Sequence, residues 1–564
     1  MEKRVVDKWV VAAKKADFRQ IGEKFGIDPV VARIIRNRDV VGDDAIREYL
    51  YGNIEDLYDP MLFKDMNKAV SILREKILQR KPIRIIGDYD IDGIMSAYIL
   101  RRGLTELGAD VDIRIPNRIT DGYGINESLV RQAAEDGIDT IVTCDNGISA
   151  GSQIRAAKEL GMTVIVTDHH EVLSVPEDAD AVVDPKQEDC PYPYKELCGA
   201  AVAWKLVLAM GGDRDRKLLQ YAAFATVGDV VDLTGENRIL VKEGLRQLRT
   251  TDSIGLRALA QAARIDLKKL DAYHIGFVLG PCMNASGRLD TALRACNLLD
   301  AKSDLQASKI ALELKELNDS RKALTEKGLA DALYEVENNG IGRDKVFVIF
   351  LPELHESLAG IVAGRVREKY NHPTFVLTRG EEGVKGSGRS IEAYGMFEGL
   401  VGVAHLLKKF GGHPMAAGLS LDEENIDAFR REINEQCDLA GDDFVPKTVI
   451  DVAMPISYIS ERLIKELELL APFGKANAKP IFAQKGVVLK NPRLLGANRN
   501  VLKATALVPG DGRMEAGVDC IAFRDAEELL NRAVSGGPLS ITYYPQINEY
   551  MGERSIQVVI TRFR

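Results

Sequence analysis

Three acidic residues alternate in Asp88-Tyr89-Asp90-Ile91-Asp92-Gly93, directly after an apolar run. In an extended segment alternate residues face the same side, so Asp88, Asp90 and Asp92 are expected to converge on one point. Like charges that close require a cation or a raised pKa. On these residues alone, an acidic turn or a helix N-cap explains them equally well. Two further runs weigh against that explanation. Asp145 ends IVTCDNG, and Asp168-His169-His170 ends TVIVTDHH. Carboxylate and imidazole are ligands for a divalent cation and need no thiolate. Asp229, in ATVGDVVDLTGENR, has apolar neighbours on both sides, where an unpaired carboxylate is costly; a helix cap or salt bridge is its plainer explanation.

A bridging carboxylate with Asp and His on either side is the donor pattern of a two-metal centre, and its use is phosphoryl chemistry. The chain has no G-x-x-x-x-G-K-[ST], so nucleotide-fuelled chemistry is not indicated.

These groups must be held by a parallel sheet. IRIIGDYD (83–90), ADVDIRIPN (109–117), DTIVTCDNG (139–147), MTVIVTDHH (162–170) and DADAVVDPK (178–186) read as strands separated by helical stretches. In such sheets functional residues gather at the carboxyl ends of the strands. Residues 198–300 read as helical and 301–338 as a long charged connecting helix. A second α/β unit begins at KVFVIFL (345–351) and reaches about residue 437. Residues 438–446 read as a linker. From 447 onward short strands with frequent turns suggest a small barrel or sandwich.

The chain has 564 residues, 46% hydrophobic and 28% charged, with a net charge of −9. That composition fits several globular domains. The acidic balance weighs little against nucleic acid, because a groove needs only local Lys and Arg. Seven cysteines without a C-x-x-C pair suit reduced thiols, and a cytoplasmic location is expected. No apolar run suggests a signal peptide or a membrane span.

GDYDIDG, TCDNGIS, TDHH and TVGDVVDLTGENR resemble the successive motifs of DHH phosphoesterases. IPNRITDGYG (115–124), PCMNASGRLDTA (281–292), HESLAGIVAGRV (355–366), KGSGRSIEAY (385–394), GGHPMAAGL (411–419) and LAPFGKANAKPIF (470–482) extend the likeness to RecJ-type exonucleases over nearly the whole chain. The resemblance implies an α/β fold: a parallel-sheet DHH domain with an N-terminal extension (1–300), a connecting helix (301–338), a smaller α/β DHH-associated domain (339–437) and an oligonucleotide-binding-type β-barrel (447–564). It implies hydrolysis of single-stranded DNA from the 5′ end to 5′ mononucleotides, in repair and recombination, with two Mn²⁺ or Mg²⁺ ions. Single-strand-binding protein and a helicase are the partners it suggests.

The same resemblance assigns Asp90, Asp92, Asp145, His169 and Asp229 as metal ligands, Asp145 bridging, with Asp88 a further ligand or a support to one. It gives His170 to the scissile phosphate or the second metal, and Arg288 with Asn284 to a phosphate oxygen. Arg118, Ser387 and Arg389 would hold the 5′ end, His413 the strand backbone and Tyr123 a stacked base. A groove between the DHH sheet and the 340–437 domain would then admit a single strand and exclude a duplex. In the barrel, Arg493, Arg499, Lys503, Tyr543 and Tyr544 are candidate strand contacts, although Tyr543 and Tyr544 alternate in a strand, so at least one of them is expected in the core. Two positions depart from the family pattern: Met95 where a Thr often stands, and Cys282 where an Arg is usual. An oligoribonucleotide or cyclic-dinucleotide phosphodiesterase, and a non-catalytic DNA-binding scaffold, are the alternative readings. The former lacks the terminal barrel, and the latter loses metal ligands.

Overall fold

The computed structural model describes residues 7–117, 122–380, 383–496, 498–508, 517–550 and 552–564. The chain forms two compact units. One comprises residues 1–8, 282–294 and 308–448; the other comprises 9–281, 295–307 and 449–564.

In the larger unit, five strands form a parallel sheet in the order Val111–Arg114, Ile83–Ile86, Thr140–Cys144, Thr163–Thr167, Ala181–Val183. Ile83–Ile86 and Thr140–Cys144 are buried throughout. Their β-branched runs suit strands covered on both faces. The first strand lies between the second and the third, so the order reverses there. Ligands of open α/β sheets bind beyond the strand ends at such a point. Four of the five strands run directly into acidic residues: Asp88, Asp145, Asp168 and Asp184 each stand within two residues of a strand end.

The same unit contains a closed five-stranded barrel, ordered Phe482–Leu495, Val501–Leu507, Val518–Ala522, Glu553–Phe563, Leu539–Tyr550. The barrel therefore starts at Phe482; the earlier strand Lys447–Ile450 pairs instead with Lys8–Val11. The barrel core is continuous with three N-terminal helices, Phe18–Phe25, Pro29–Asn37 and Asp43–Tyr51. Ile34, Ile35 and Leu50 pack in one cluster with Phe482, Leu502 and Tyr543. Arg238 links these parts to the sheet domain: its buried guanidinium donates to the carbonyls of Tyr49, Leu469 and Leu470 at 2.7–2.8 Å.

The smaller unit holds a second sheet, ordered Leu407–His413, Ala416–Leu421, Gly383–Arg389, Thr374–Gly380, Phe347–Phe350. Only the pair Phe347–Phe350 with Thr374–Gly380 is parallel. The expected connector is one helix, Asp304–Asn338. No helix among the described residues is long and apolar enough to cross a membrane. The seven cysteines form no disulfide.

Candidate metal centre

Helix formation, not strand alternation, decides how the first acidic cluster is arranged. Asp90 has extended backbone and caps the helix Ile91–Glu106, its Oδ1 accepting from the Asp92 and Gly93 amides at 2.9 and 3.2 Å. Asp92 thus sits in the first helical turn, so the three aspartates do not converge on one point. Asp88 and Asp90 group with Asp145, while Asp92 groups with His169 and Asp229. A Cβ on Gly93 would lie 2.3 Å from the Asp88 carbonyl, so this tight entry requires glycine.

Asp145 follows the third strand at φ +59°. A non-glycine residue held there is uncommon and concentrates at functional sites. Its side chain belongs to two donor groups: Asp88, Asp90 and Asp145, and Asp145, His169 and His170. His169 links to the third group, with Nε2 3.1 Å from Asp145 Oδ1, 3.5 Å from Asp92 Oδ2 and 3.8 Å from Asp229 Oδ2. Within each group the donor atoms lie within 4.8 Å of one another. Asp229 caps the helix Leu219–Gly228, and the β-branched Val230 after it is also left-handed, φ +61°.

The electrostatics are those of crowded, buried carboxylates. Burial, then the charges of Asp92, Asp90, Asp229 and Asp88, push the Asp145 carboxyl well above its ordinary range. Burial, then Asp92 and Asp90, raise Asp229 to about 8. Burial lowers the His169 imidazole in spite of Asp92, which favours the neutral form that can ligate. Burial also opposes charge on His170, but the Asp168 hydrogen bond and the Asp168 and Asp229 charges outweigh it and raise the imidazole to about 9.

Two supports escaped sequence reasoning. Asp168, noted there only as part of the DHH run, receives the Ile148 amide at 2.9 Å on Oδ2. Its Oδ1 meets His170 Nδ1 at 2.7 Å. It orients His170 rather than joining a donor group. The helix Gly199–Ala209 begins with amides that grip both oxygens of Asp92, Gly199 N–H at 2.6 Å and Ala200 N–H at 2.8 Å. The small-residue run CGAA opening an apolar helix was the available signal: a Cβ on Gly199 would sit 2.8 Å from Asp145 Cβ.

The site residues expected from sequence divide by unit. Asp88, Asp90, Asp92, Asp145, His169, His170 and Asp229 come together with Tyr123. Tyr123 is 52% exposed, so it is not a core aromatic, and its hydroxyl donates to the Asp145 carbonyl at 2.8 Å. Arg118 lies outside the described residues. Arg288, Asn284, Ser387, Arg389 and His413 belong to the smaller unit. There Arg288 donates to the Ser357 carbonyl at 2.9 Å. Ser387 and Arg389 lie on the strand Gly383–Arg389, and His413 is exposed at the end of Leu407–His413. Cys282 is fully buried, its sulfur accepting from Asn318 at 3.4 Å, and Asn318 in turn accepts from Arg321 at 3.1 Å. Met95 is a buried residue of the helix after the cluster. In the barrel Tyr543 and Tyr544 are both buried, which removes them as strand contacts; Arg493 and Arg499 are exposed.

Comparison with known proteins finds three families along the chain. Residues 82–228 match the DHH family N-terminal domain, 343–438 the DHHA1 domain, and 450–562 the RecJ OB domain. The single-stranded-DNA-specific exonuclease RecJ of Bacillus subtilis is 36% identical over 98% of this chain and 70% of its own length. That of Dickeya dadantii is 33% identical over 90% of this chain and 92% of its own. The crystal structure of RecJ from Thermus thermophilus in complex with Mn²⁺ superposes with a TM-score of 0.84. It has 29% identity and covers 100% of this chain and 80% of that one. With its three domains in order and its donors at the strand ends, this chain belongs to the RecJ family of DHH exonucleases.

Proposed function

We propose that this chain is a 5′→3′ exonuclease. It removes 5′ mononucleotides from single-stranded DNA, with two Mn²⁺ or Mg²⁺ ions held by Asp88, Asp90, Asp92, Asp145, His169 and Asp229. The observation that carries the reading is the overlap of three donor groups through Asp145 and His169. A single ion leaves that overlap unexplained, whereas adjacent ions need shared donors. Carboxylate oxygens and a neutral imidazole are suitable ligands for these metals, and the buried carboxylates need positive charge. When bound, such ions supply Lewis acidity at phosphate oxygens and lower the pKa of water for in-line displacement.

The side chains do the positioning. The Gly199 and Ala200 amides hold Asp92 in one orientation. Asp168 orients His170, which is proposed to meet a phosphate oxygen of the scissile bond. Tyr123, tethered through its hydroxyl, leaves its ring available to a base. In the smaller unit, Arg288 and Asn284 are proposed to meet phosphate charge as it builds. Ser387, Arg389 and His413, with Arg118, are proposed to hold the 5′ end and the adjoining backbone. The domains read as 1–300, 301–338, 339–437 and 447–564. Repair and recombination in the cytoplasm, beside a single-strand-binding protein and a helicase, complete the proposal.

The test is digestion of 5′-labelled single-stranded DNA with Mn²⁺, Mg²⁺ or a chelator. The label should appear first as mononucleotide, only with metal, and duplex DNA should resist. Digestion from the 3′ end, or metal-independent cleavage, would overturn the reading.

A further inference from the structure

Tyr273 and Phe277 are 61% and 68% exposed, and their rings stack on each other with centroids 5.0 Å apart and planes 27° apart. They lie one helical turn apart where Ala272–His274 runs into a π-helical turn, Ile275–Leu279. Such turns are rare and recur at functional positions. This one is locked against the metal centre. A Cβ on Gly276 would be 3.6 Å from a Val227 methyl. Cβ atoms on Gly280 and Gly228 would be 3.4 and 2.8 Å from Ile91. Ile91 separates Asp90 from Asp92, and Gly228 precedes Asp229. The aromatic pair therefore stands within two helical turns of residues packed on the donors. Val230, adjoining Asp229, is a further exposed apolar residue, 60% exposed.

Two lysines lie near the neighbours of this surface, one beside Asp229 and one beside Asp271. The Lys475 carbonyl receives the Leu233 amide at 3.0 Å, its ammonium pairs with Asp232 at 3.1 Å, and its charge is felt by Asp229. Lys479 covers the Tyr544 ring at 3.9 Å and is within electrostatic reach of Asp271, two residues before Tyr273. Flat apolar faces beside lysines match a polymer that alternates aromatic bases with anionic phosphates.

We infer that Tyr273 and Phe277 form a base-stacking platform for the single strand engaged at the metal centre. The inference rests on the proposed function and deepens it. Stacking tolerates any base, since every base has a π face, so the platform adds affinity without sequence preference.

The test compares the parent with Tyr273→Ala/Phe277→Ala on a 5′-phosphorylated strand and on the same strand made abasic. The direct Kd is measured alongside kcat and KM. Removing the platform should raise Kd and KM about tenfold on the base-bearing strand. The kcat and the Mn²⁺ concentration giving half-activation should not change. On the abasic strand, parent and variant should agree, and Phe277→Trp should keep the parent's affinity. Equal losses on both strands, or unchanged affinity in a folded double variant, would overturn the platform. So would a parent dimer that the double variant dissociates without change in affinity, which would assign the patch to a second copy of the chain. If the parent cleaves no DNA, the proposed function fails; the Kd comparison then still decides the platform.

Discussion

One helix, Gly199–Ala209, touches two buried carboxylates in opposite ways. Near its end, Lys205 pairs with Glu236 at 2.6 Å, both side chains 1% exposed. Glu236 also accepts from the Tyr192 hydroxyl at 2.6 Å and the Tyr58 amide at 3.0 Å. Its charge is balanced and its oxygens are satisfied. At the start of the helix Asp92 receives two amides, no Lys or Arg among the described residues pairs with it, and Asp90, Asp145 and Asp229 crowd it. A buried ion pair completed by hydrogen bonds is structure. Buried carboxylates left unbalanced destabilise the fold and are retained for what they bind. The contrast separates the two within one element, without appeal to any relative.

Breaking the unbalanced side should have the largest effect. Asp145→Ala removes a donor shared by two groups, and kcat/KM should fall on the order of a thousandfold or more. The same site should respond oppositely in stability. Without metal, Asp145→Asn relieves repulsion among four neighbouring carboxylates, so its Tm in chelator should exceed the parent's. Mn²⁺ should then raise the parent's Tm more than the variant's. Thermal unfolding with and without Mn²⁺ checks both signs. A variant less stable than the parent in chelator would show that Asp145 is structural.

Breaking the balanced side should do the reverse. Lys205→Met leaves Glu236 buried without its cation and should cost about 3–5 kcal/mol of stability. Activity per folded molecule should stay near the parent's. Adding Glu236→Gln should recover part of the loss, which urea titration of the single and double variants measures. If Lys205→Met unfolds as the parent does, the charge-balance argument fails where it is most secure.

Much of the centre was legible in the sequence, and the failures have physical causes. Donors ending buried strands were found because a parallel sheet puts strand ends at one edge, and 301–338 declared itself by length and charge. The split of Asp92 from Asp88 and Asp90 was hidden because alternation assumes a strand, whereas Asp90 starts a helix. Neighbouring strand residues alternate in facing, so at least one of Tyr543 and Tyr544 was expected in the core; both are buried, because Lys479 covers the Tyr544 ring. The sharing of the barrel core with residues 18–50 is a long-range contact that no local pattern records. Asp168 was in view but its role was not, since only geometry tells a ligand from the residue that aims one. Asp168→Asn should lower kcat about 10–100-fold while leaving Mn²⁺ affinity near the parent's. Equal loss of metal affinity would make Asp168 a ligand after all.

The mirror image of Asp145 lies in the smaller unit. The Arg389 guanidinium donates to the Gly388 carbonyl at 2.8 Å and lies against Gly360, whose Cβ, were there one, would meet it at 2.8 Å. Among the described residues no carboxylate pairs with Arg389. Burial, and then the charge of Arg367, lower its pKa. A sequestered cation without an anion is suited to a phosphate, which it can take through two parallel hydrogen bonds. Charge-assisted bonds of this kind are worth about 1.5–3 kcal/mol. Arg389→Ala should therefore weaken binding of a 5′-phosphorylated single strand about tenfold. A 5′-hydroxyl strand offers no terminal dianion and should lose much less. The ratio of kcat/KM on the two strands, for parent and variant, carries the result. A parent that favours the phosphorylated strand and a variant that does not would assign Arg389 to the terminus. Equal losses on both strands would place it on the internal backbone instead, and the charge imbalance would then mark phosphate binding without polarity.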